Sequence, residues 1–224
     1  MPRFFVPADH ADENGLVHIG GKLTPDWLLD AYTHGIFPWP FARLLSHTIL
    51  GWFSVEPRCI FEFDQFHVSR RLKRTCKSGR FRLTSDTDFS GVICGCAERH
   101  GQEGTWITPK MIDAYIEFHR LGYAHSVETW LGDDLAGGVY GVGIGGLFAA
   151  ESMFFRYRDA SKVALVALMR HLKERGYQLV DIQVETEHTA RFGAVEISRS
   201  EYLRRLQSAL RHHVEFGTIA TETV

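Results

Sequence analysis

The second half of the chain alternates strand-like and helix-like runs, and this order restricts the fold more than any other feature of the sequence. Three strand-like runs, Ala124 to Trp130, Leu135 to Val142 and Gly146 to Phe155, follow one another with only short turns between them. Parallel neighbours would need crossover connections of about a dozen residues or more. The spacing therefore predicts an antiparallel meander.

Helices are predicted where apolar spacing of helical period is bounded by capping residues, proline or glycine. The predicted helices are Pro25 to His34 after Thr24, Pro109 to about Leu121 after Thr108, a long helix through Arg175 capped by Asp159 and stopped by Gly176, and a last helix to about His213 that begins with a capping box of Ser198 and Glu201. A further strand, Gln178 to Glu185, is predicted between the last two helices.

Two segments near the start combine aromatic residues with prolines. In Ile36 to Pro40 and Gly51 to Arg58 the prolines forbid a continuous helix and remove donors that a central strand needs. We expect shaped loops here. Their large aromatic side chains are either packed down or available to a flat ligand.

A run of positive charge follows, with no acidic residue between His67 and Thr84. One interpretation is the solvated face of an amphipathic helix with Val68 and Leu72 inward. The other is a surface that binds phosphates. The basic residues are Arg70, Arg71, Lys73, Arg74, Lys77, Arg80 and Arg82.

Three polar side chains in apolar strands are candidates for chemistry. Strand alternation places Asp181 and Gln183 on one face of their strand, and Glu151 and Met153 on one face of another. An acid beside an amide in an apolar run is costly to bury without partners. The alternatives are a hydrogen-bonded core network and polar groups that project into a pocket.

One glycine motif is a poor guide to function. Gly141, Gly143 and Gly146 match the spacing of a dinucleotide-binding loop, but that loop must lie between a strand and a helix. Here a strand follows, so the glycines predict a hairpin turn.

Composition narrows the class further. The chain has 224 residues, 45% of them hydrophobic and 23% charged, with a formal net charge of −2. These are globular proportions. No apolar stretch approaches the ~18 residues of a membrane span, and we expect a cytoplasmic protein with no membrane partner. Four cysteines without paired spacing and scattered histidines make a metal site improbable and free thiols the expectation.

Seven segments in order resemble the bacterial leucyl/phenylalanyl-tRNA-protein transferases, from about residue 14 to 206. The segments are Ala31 to Trp39, Gly104 to Thr108, His125 to Glu128, Gly137 to Gly141, Glu151 to Phe154, Ala160 to Lys162, and Asp181 to Val184 followed by His188. The chain departs from the family at Phe53, Val55 and Glu56, where the family usually has Trp, Pro and Asp, and at Phe155, where serine is common.

The resemblance implies an α+β fold. Residues 1–60 would form a small N-terminal α/β domain, and residues 61–224 an acyltransferase-like catalytic domain similar to the acyl-CoA N-acetyltransferase fold. This agrees with the order of helices and strands predicted above.

The resemblance also implies a reaction. Leucine or phenylalanine, less often methionine, would move from the ester of a charged tRNA to the α-amine of a protein that begins with Arg or Lys, which marks that protein for N-degron proteolysis. The aminoacyl ester is already activated, so we expect no cofactor and no ATP.

The resemblance and the chemistry together assign roles to particular residues. Asp181, Gln183 and Glu151 resemble the catalytic residues, while Trp39 and Trp106 offer faces for the terminal adenine of the tRNA. The expected aminoacyl slot is Val139, Met153, Leu165 and Leu168, and the expected phosphate contacts are Arg70, Arg71, Lys73, Arg74 and Lys77.

Two other classes of function remain open. An acetyltransferase that uses an acyl-CoA should show a glycine-rich phosphate turn between strand and helix, and Phe155 to Ser161 is not of that type. A non-catalytic RNA-binding protein would use the same basic run and aromatic residues.

Overall fold

The computed structural model describes residues 3–44, 47–99 and 106–219, which form two β-sheets with helices packed on them. Gly104 and Thr105 of the segments quoted above lie outside the described residues. The smaller sheet has three antiparallel strands in the order β1-β3-β2. Its strands are β1 (Leu16–Ile19), β2 (Phe37–Leu44) and β3 (His47–Phe53).

The expectation of loops in the two aromatic-proline segments was wrong for Phe37 to Pro40, which lie in β2, and for residues 51–53, which end β3, but residues 54–57 do form a loop. Pro38 and Pro40 lie in β2, where they pair with Trp52 and Leu50 of β3. Because β2 is at the edge of its sheet, no strand lies on its outer side to need hydrogen bonds from it. Prolines, which have no backbone N–H, are therefore tolerated in β2.

The larger sheet has seven strands in the order β10-β4-β9-β8-β7-β6-β5. They are β4 (Arg58–Phe61), β5 (Arg82–Ser85), β6 (Ala124–Leu131), β7 (Asp134–Ile144), β8 (Leu147–Phe155), β9 (Leu179–Gln183) and β10 (Ala194–Ile197). The meander β6-β7-β8 is confirmed as antiparallel, and its last turn, with Gly145 at a φ of 56°, is the hairpin that the glycines predicted.

Seven α-helices occur within the described ranges. They are α1 (Pro25–Thr33), α2 (Arg70–Lys77), α3 (Phe89–Arg99), α4 (Pro109–Arg120), α5 (Ala160–Arg175), α6 (Glu187–Ala190) and α7 (Arg199–Ala209). One face of the larger sheet packs against α5 and α2, and the opposite face against α3, α4 and α7. None of these helices is long and apolar enough to cross a membrane.

Several predicted details of the helices were wrong. The basic run is helical only in α2, because Val68 precedes that helix and Arg82 begins β5. Asp159 stands at the start of α5 but makes no capping hydrogen bond. At α7, the Ser198 hydroxyl accepts from the backbone N–H of Glu201 at 3.2 Å, as a cap should, but the Glu201 carboxylate binds arginines of its own helix instead of completing the box.

A bulge in β8 separates two residues that were expected to share a face. The register with β7 shifts between Tyr140↔Ser152 and Gly141↔Ala150, so Glu151 is the inserted residue. Met153 consequently packs on the α5 face, whereas Glu151 lies on the face that carries α4.

Candidate active site

A buried ion pair joins β4 to β9. Arg58 donates from Nε to Oδ1 of Asp181 at 2.9 Å and from Nη2 to Oδ2 at 2.6 Å. The two side chains are only 1% and 0% exposed. Burial is the largest single influence and alone would lower the pKa of Arg58, but the charge and hydrogen bond of Asp181, together with Tyr202 and Glu151, outweigh it and raise that pKa. A charge-assisted, bidentate contact in so dry a place fixes both side chains firmly.

Arg58 and Asp181 also form hydrogen bonds with other residues. The Tyr202 hydroxyl donates to Oδ2 of Asp181 at 2.8 Å, and the backbone N–H of Gln183 donates to Oδ1 at 2.9 Å. Arg58 donates from Nη1 to the carbonyl of Gly35 at 3.2 Å. Within the described ranges Asp181 accepts four hydrogen bonds, and it acts on its surroundings through Arg58 and Gln183.

Gln183 ends β9 in a strained backbone conformation. Its φ is 59°, in the left-handed region that non-glycine residues seldom adopt. The bond from its N–H to Asp181 helps to hold this conformation. As a result its side chain reaches across to β8, where Nε2 donates to Oε1 of Glu151 at 3.2 Å.

Glu151 is the third member of the group and is half-buried. Burial raises the pKa of its carboxyl to about 8, and the negative charge of Asp181 adds to the rise, while hydrogen bonds from two tyrosines and the charge of Arg58 oppose it. At neutral pH the protonated form of Glu151 predominates, but ionising it costs little free energy because the pH is close to the pKa. Such a group is suited to accept or release a proton near pH 7–8.

Two tyrosines that the sequence analysis did not single out support Glu151. The Tyr115 hydroxyl of α4 donates to Oε2 of Glu151 at 3.4 Å, and it lies 2.5 Å from the hydroxyl of Tyr32 in α1. Both rings are fully enclosed. A chain of hydroxyls thus leads from the carboxyl into the interior.

The sheet opens beside these groups. The parallel pairing of β8 with β9 covers only Leu147 to Ala149 against Leu179 to Asp181, although both strands continue beyond. Glu151 and Gln183 both lie past the last pair. The structure therefore brings the three expected catalytic residues together at a gap between two strands.

The expected aromatic residues also meet. The rings of Trp39 and Trp106 stack at 4.4 Å between centroids and 18° between planes, and Trp39 is 41% exposed. A base inserted between them would have to part them, so a bound base would stack on an outer face of the pair.

The expected slot residues lie on the other face of the sheet. Val139, Leu165 and Leu168 are buried in the cluster under α5, and Met153 packs against it. Val139 pairs directly with Met153 across β7 and β8. This cluster and the polar group of Glu151 and Gln183 lie on opposite faces of the larger sheet.

Helix α2 packs on the same face of the sheet as the slot residues, and its basic side chains point away from that core. Leu72 and Cys76 turn inward, which leaves the charged side chains toward solvent. Of these, Arg71 donates from Nη2 to Oδ2 of Asp159 at 2.7 Å.

Comparison with known proteins identifies the family of the chain. A family model described as leucyl/phenylalanyl-tRNA protein transferase matches residues 60–207. A second, described as the N-terminal domain of that transferase, matches residues 21–56.

Individual relatives match along nearly the whole chain. A leucyl/phenylalanyl-tRNA–protein transferase of Magnetococcus marinus is 49% identical over 218 residues, which cover 95% of this chain and 91% of the relative. One from an Anaeromyxobacter species is 50% identical over 208 residues, covering 92% and 87%. One from Maridesulfovibrio salexigens is 46% identical over 217 residues, covering 96% and 89%.

The matched relatives are aminoacyltransferases, and the larger sheet of this chain brings Glu151 and Gln183 into contact at the gap between β8 and β9. The matches define the chain as an aminoacyltransferase. The chain belongs to the leucyl/phenylalanyl-tRNA protein transferase family.

Proposed function

We propose that this chain moves leucine or phenylalanine, and less often methionine, from charged tRNA to the N-terminal Arg or Lys of acceptor proteins. It would do so in the cytoplasm, as a step of N-degron proteolysis. Besides family membership, the observation that carries the proposal is the contact between Gln183 and Glu151 at the gap beside β9. The contact supports the proposal because it joins an amide, whose carbonyl oxygen could orient an amine, to a titratable acid.

The chain would divide as the sequence suggests. Residues 1–60 include the three-stranded sheet and α1, and we propose that they form a small N-terminal domain whose last three residues enter β4 of the larger sheet. Residues 61–224 would form the catalytic domain, with a fold similar to the acyl-CoA N-acetyltransferases. The order of a meander, a crossover helix and a parallel strand in β6 to β9 supports this proposal.

The donor would be held at three points. The adenine of the terminal nucleotide would stack on the Trp39–Trp106 pair, a contact worth ~1–3 kcal/mol that does not depend on tRNA sequence. The aminoacyl side chain would enter between Val139, Met153, Leu165 and Leu168 from the gap. Phosphates of the acceptor stem would meet Arg70, Arg71, Lys73, Arg74 and Lys77.

The acceptor amine would be positioned by Gln183. Its Nε2 donates to Glu151, and no residue in the described ranges donates to its Oε1, which could therefore accept a hydrogen from the amine. An amide is too weak a base to take the proton itself. Glu151, with a pKa of about 8, is close to the ~7.7–8.0 of an α-amine and exchanges a proton with it at little cost. Asp181 is a positioning residue, because it fixes Gln183 and touches no open space.

Asp181 is neutralised by Arg58, so a cationic acceptor would be favoured here only by the carboxylate form of Glu151. Attack of the neutral amine on the ester carbonyl forms the peptide bond and releases the 3′ oxygen of the tRNA, which takes up a proton. No activating cofactor is required, since the ester supplies the driving force.

The test is direct transfer. Purified protein is incubated with radiolabelled Leu-tRNA and matched acceptor proteins that begin with Arg, Lys or Met, and label in acid-precipitable product is counted after alkaline destruction of the ester. We expect label on the Arg and Lys acceptors and at least tenfold less on the Met acceptor. Binding of the tRNA without any transfer would instead indicate an RNA-binding protein.

A further inference from the structure

One face of the smaller sheet carries a row of aromatic rings. Trp39 of β2 pairs directly with Gly51 of β3, so the two residues share a face of the sheet. A Cβ built on Gly51 would lie 3.0 Å from the Cβ of Phe41 and 2.6 Å from the ring of Phe53, which places both phenylalanines on that face. Phe37 pairs with Phe53 and belongs to the same face. Phe37, Trp39 and Phe41 therefore follow one another along β2.

A bulge in β2 falls at Phe41 without turning its side chain off this face. The register shifts between Pro40↔Leu50 and Ala42↔Ile49, so Phe41 is the extra residue. Because Gly51 has no side chain, Phe41 lies close against β3. A larger residue at position 51 would have to displace one of the two phenylalanines beside it.

The row leads from the buried ion pair to the surface. The guanidinium carbon of Arg58 lies 4.8 Å from the centre of the Phe37 ring, and Phe37 is 5% exposed. The next ring, Trp39, is 41% exposed and stacks on Trp106. The third, Phe41, is 46% exposed. Exposure rises with each step away from Arg58, so the row connects the proposed transfer site with the outside.

The outer part of the row is an exposed apolar patch. Ile19 of β1 pairs with Gly51, so it shares the face with Trp39 and Phe41, and it is also exposed. Single exposed apolar side chains are normal on proteins, but adjacent ones on neighbouring strands are typical of a contact surface. Two of the three side chains are aromatic and offer flat faces, which suit a planar partner.

Given the proposed function, the donor tRNA is the ligand that this row fits. Its terminal adenine would stack on the Trp39–Trp106 pair, with its ester at the gap beside β9. The rest of the strand would then run outward, since the inner end of the row is closed at the buried Phe37. Residues two apart on a strand are separated by ~6.6 Å, a distance that successive nucleotides of an extended single strand also span. The nucleotide before the terminal one would consequently reach Phe41.

We propose that Phe41 binds the penultimate base of the donor, next to the terminal adenine on the Trp39–Trp106 pair. Stacking on an aromatic ring requires no hydrogen bond to the base and tolerates any base. Sheets with exposed aromatic rings that hold successive unpaired bases are a common means of binding single-stranded RNA. The inference rests on the proposed function, because that function supplies the occupant of the patch.

The test uses three stable probes that carry leucine in amide linkage at the 3′ position of adenosine. The first is this adenosine derivative alone, the second has a cytidine joined through the 5′ phosphate, and the third has the same phosphate and a ribose without a base. Equilibrium dialysis gives the affinity of each probe for the wild type and for Phe41→Ala and Phe41→Trp. Leu121→Ala, which removes a similarly exposed apolar side chain at the end of α4, is the matched control.

We expect the wild type to bind the cytidine probe about tenfold more tightly than the probe without that base. This ratio should fall at least fivefold in Phe41→Ala and persist in Phe41→Trp and Leu121→Ala. Affinity for the adenosine probe should be the same in all four proteins, because the contact proposed for Phe41 does not involve the terminal nucleotide.

Equal affinity of the wild type for the cytidine and baseless probes would overturn the inference. So would an unchanged ratio in Phe41→Ala, because the base would then lie elsewhere. If Phe41→Ala instead abolishes self-association in sedimentation experiments and leaves the ratio unchanged, the patch is an interface between copies of this chain. If Phe41→Ala weakens all three probes equally, Phe41 only supports the sheet.

The transfer assay separates this inference from the proposed function. Product formation together with a ratio that does not depend on Phe41 removes the base site and leaves the function standing. A ratio that depends on Phe41, without any transfer, leaves the base site and removes the function. Failure of the wild type to bind any of the three probes would overturn both.

Discussion

Replacing Asp181 with asparagine is expected to reduce both stability and activity by large factors. The substitution keeps the shape but leaves the guanidinium of Arg58, which is 1% exposed, without its counter-charge. Breaking one side of a buried pair costs about 3–5 kcal/mol in the free energy of unfolding. Because Asp181 also holds the strained backbone of Gln183, kcat for transfer should fall by ~10²–10⁴ with the donor KM little changed. Denaturant unfolding and steady-state kinetics measure the two effects.

A double variant separates these effects. Arg58→Met with Asp181→Leu removes both charges, and apolar replacement of a buried pair is often neutral for stability. We expect it to recover most of the lost stability while its kcat stays low, since nothing then fixes Gln183. Wild-type kcat in either variant, once shown to be folded, would contradict a positioning role for the pair.

Glu151→Gln is expected to change how stability depends on pH. Burial raises the pKa of Glu151 to about 8 from an ordinary value of 4.5. The neutral acid is therefore the form that the folded protein favours, and its stabilising contribution, complete below pH 4.5, is lost as the pH rises through 8. A glutamine has no charge to acquire. Relative to the wild type, the variant should gain roughly 2–4 kcal/mol in the free energy of unfolding between pH 4 and pH 8.5.

The same substitution acts on the rate. In the wild type, log kcat should bend near pH 8 as Glu151 titrates, and in Glu151→Gln that bend should disappear with a fall in kcat of ~10²-fold or more. The acceptor amine also titrates near pH 8 and contributes to the pH dependence of kcat. The stability measurement contains no acceptor, so it serves as the control for the titration of Glu151 itself. Parallel stability curves for the two proteins would show that Glu151 has an ordinary pKa.

The C-terminal half of the fold was predictable because its local signals agree with its tertiary structure. The meander, α4 and α5 each combine a clear apolar period with a proline, glycine or capping residue at the end. By contrast, β2 carries Pro38 and Pro40, and only its edge position makes them tolerable. Helix α3 contains Gly91 and Gly95, which weaken its helical pattern, and it was missed.

The candidate site was predictable in part for a similar reason. An acid in a strand as apolar as β9 demands a partner, so Asp181 signalled a buried network. Its partner Arg58 is 123 residues away and stands in a segment without periodicity, so nothing local identifies it. A search for a cation at the start of another apolar strand would have found it, since Arg58 begins β4. The bulge at Glu151 has no sequence signal that we recognise, and it decides which face that residue occupies.

The central claim is that transfer takes place where Gln183 meets Glu151, and single-turnover kinetics with Gln183→Ala test it most directly. Enzyme in excess is mixed with labelled Leu-tRNA and an acceptor that begins with Arg, and the rate of peptide formation is measured beside the affinity for the tRNA. The substitution removes the carbonyl that positions the amine and leaves the Trp39–Trp106 pair and α2 intact. We predict a rate at least 100-fold below wild type with unchanged tRNA affinity and unchanged stability at pH 6, where Glu151 is neutral. Wild-type transfer by folded Gln183→Ala would contradict the claim and place the reaction elsewhere on the chain.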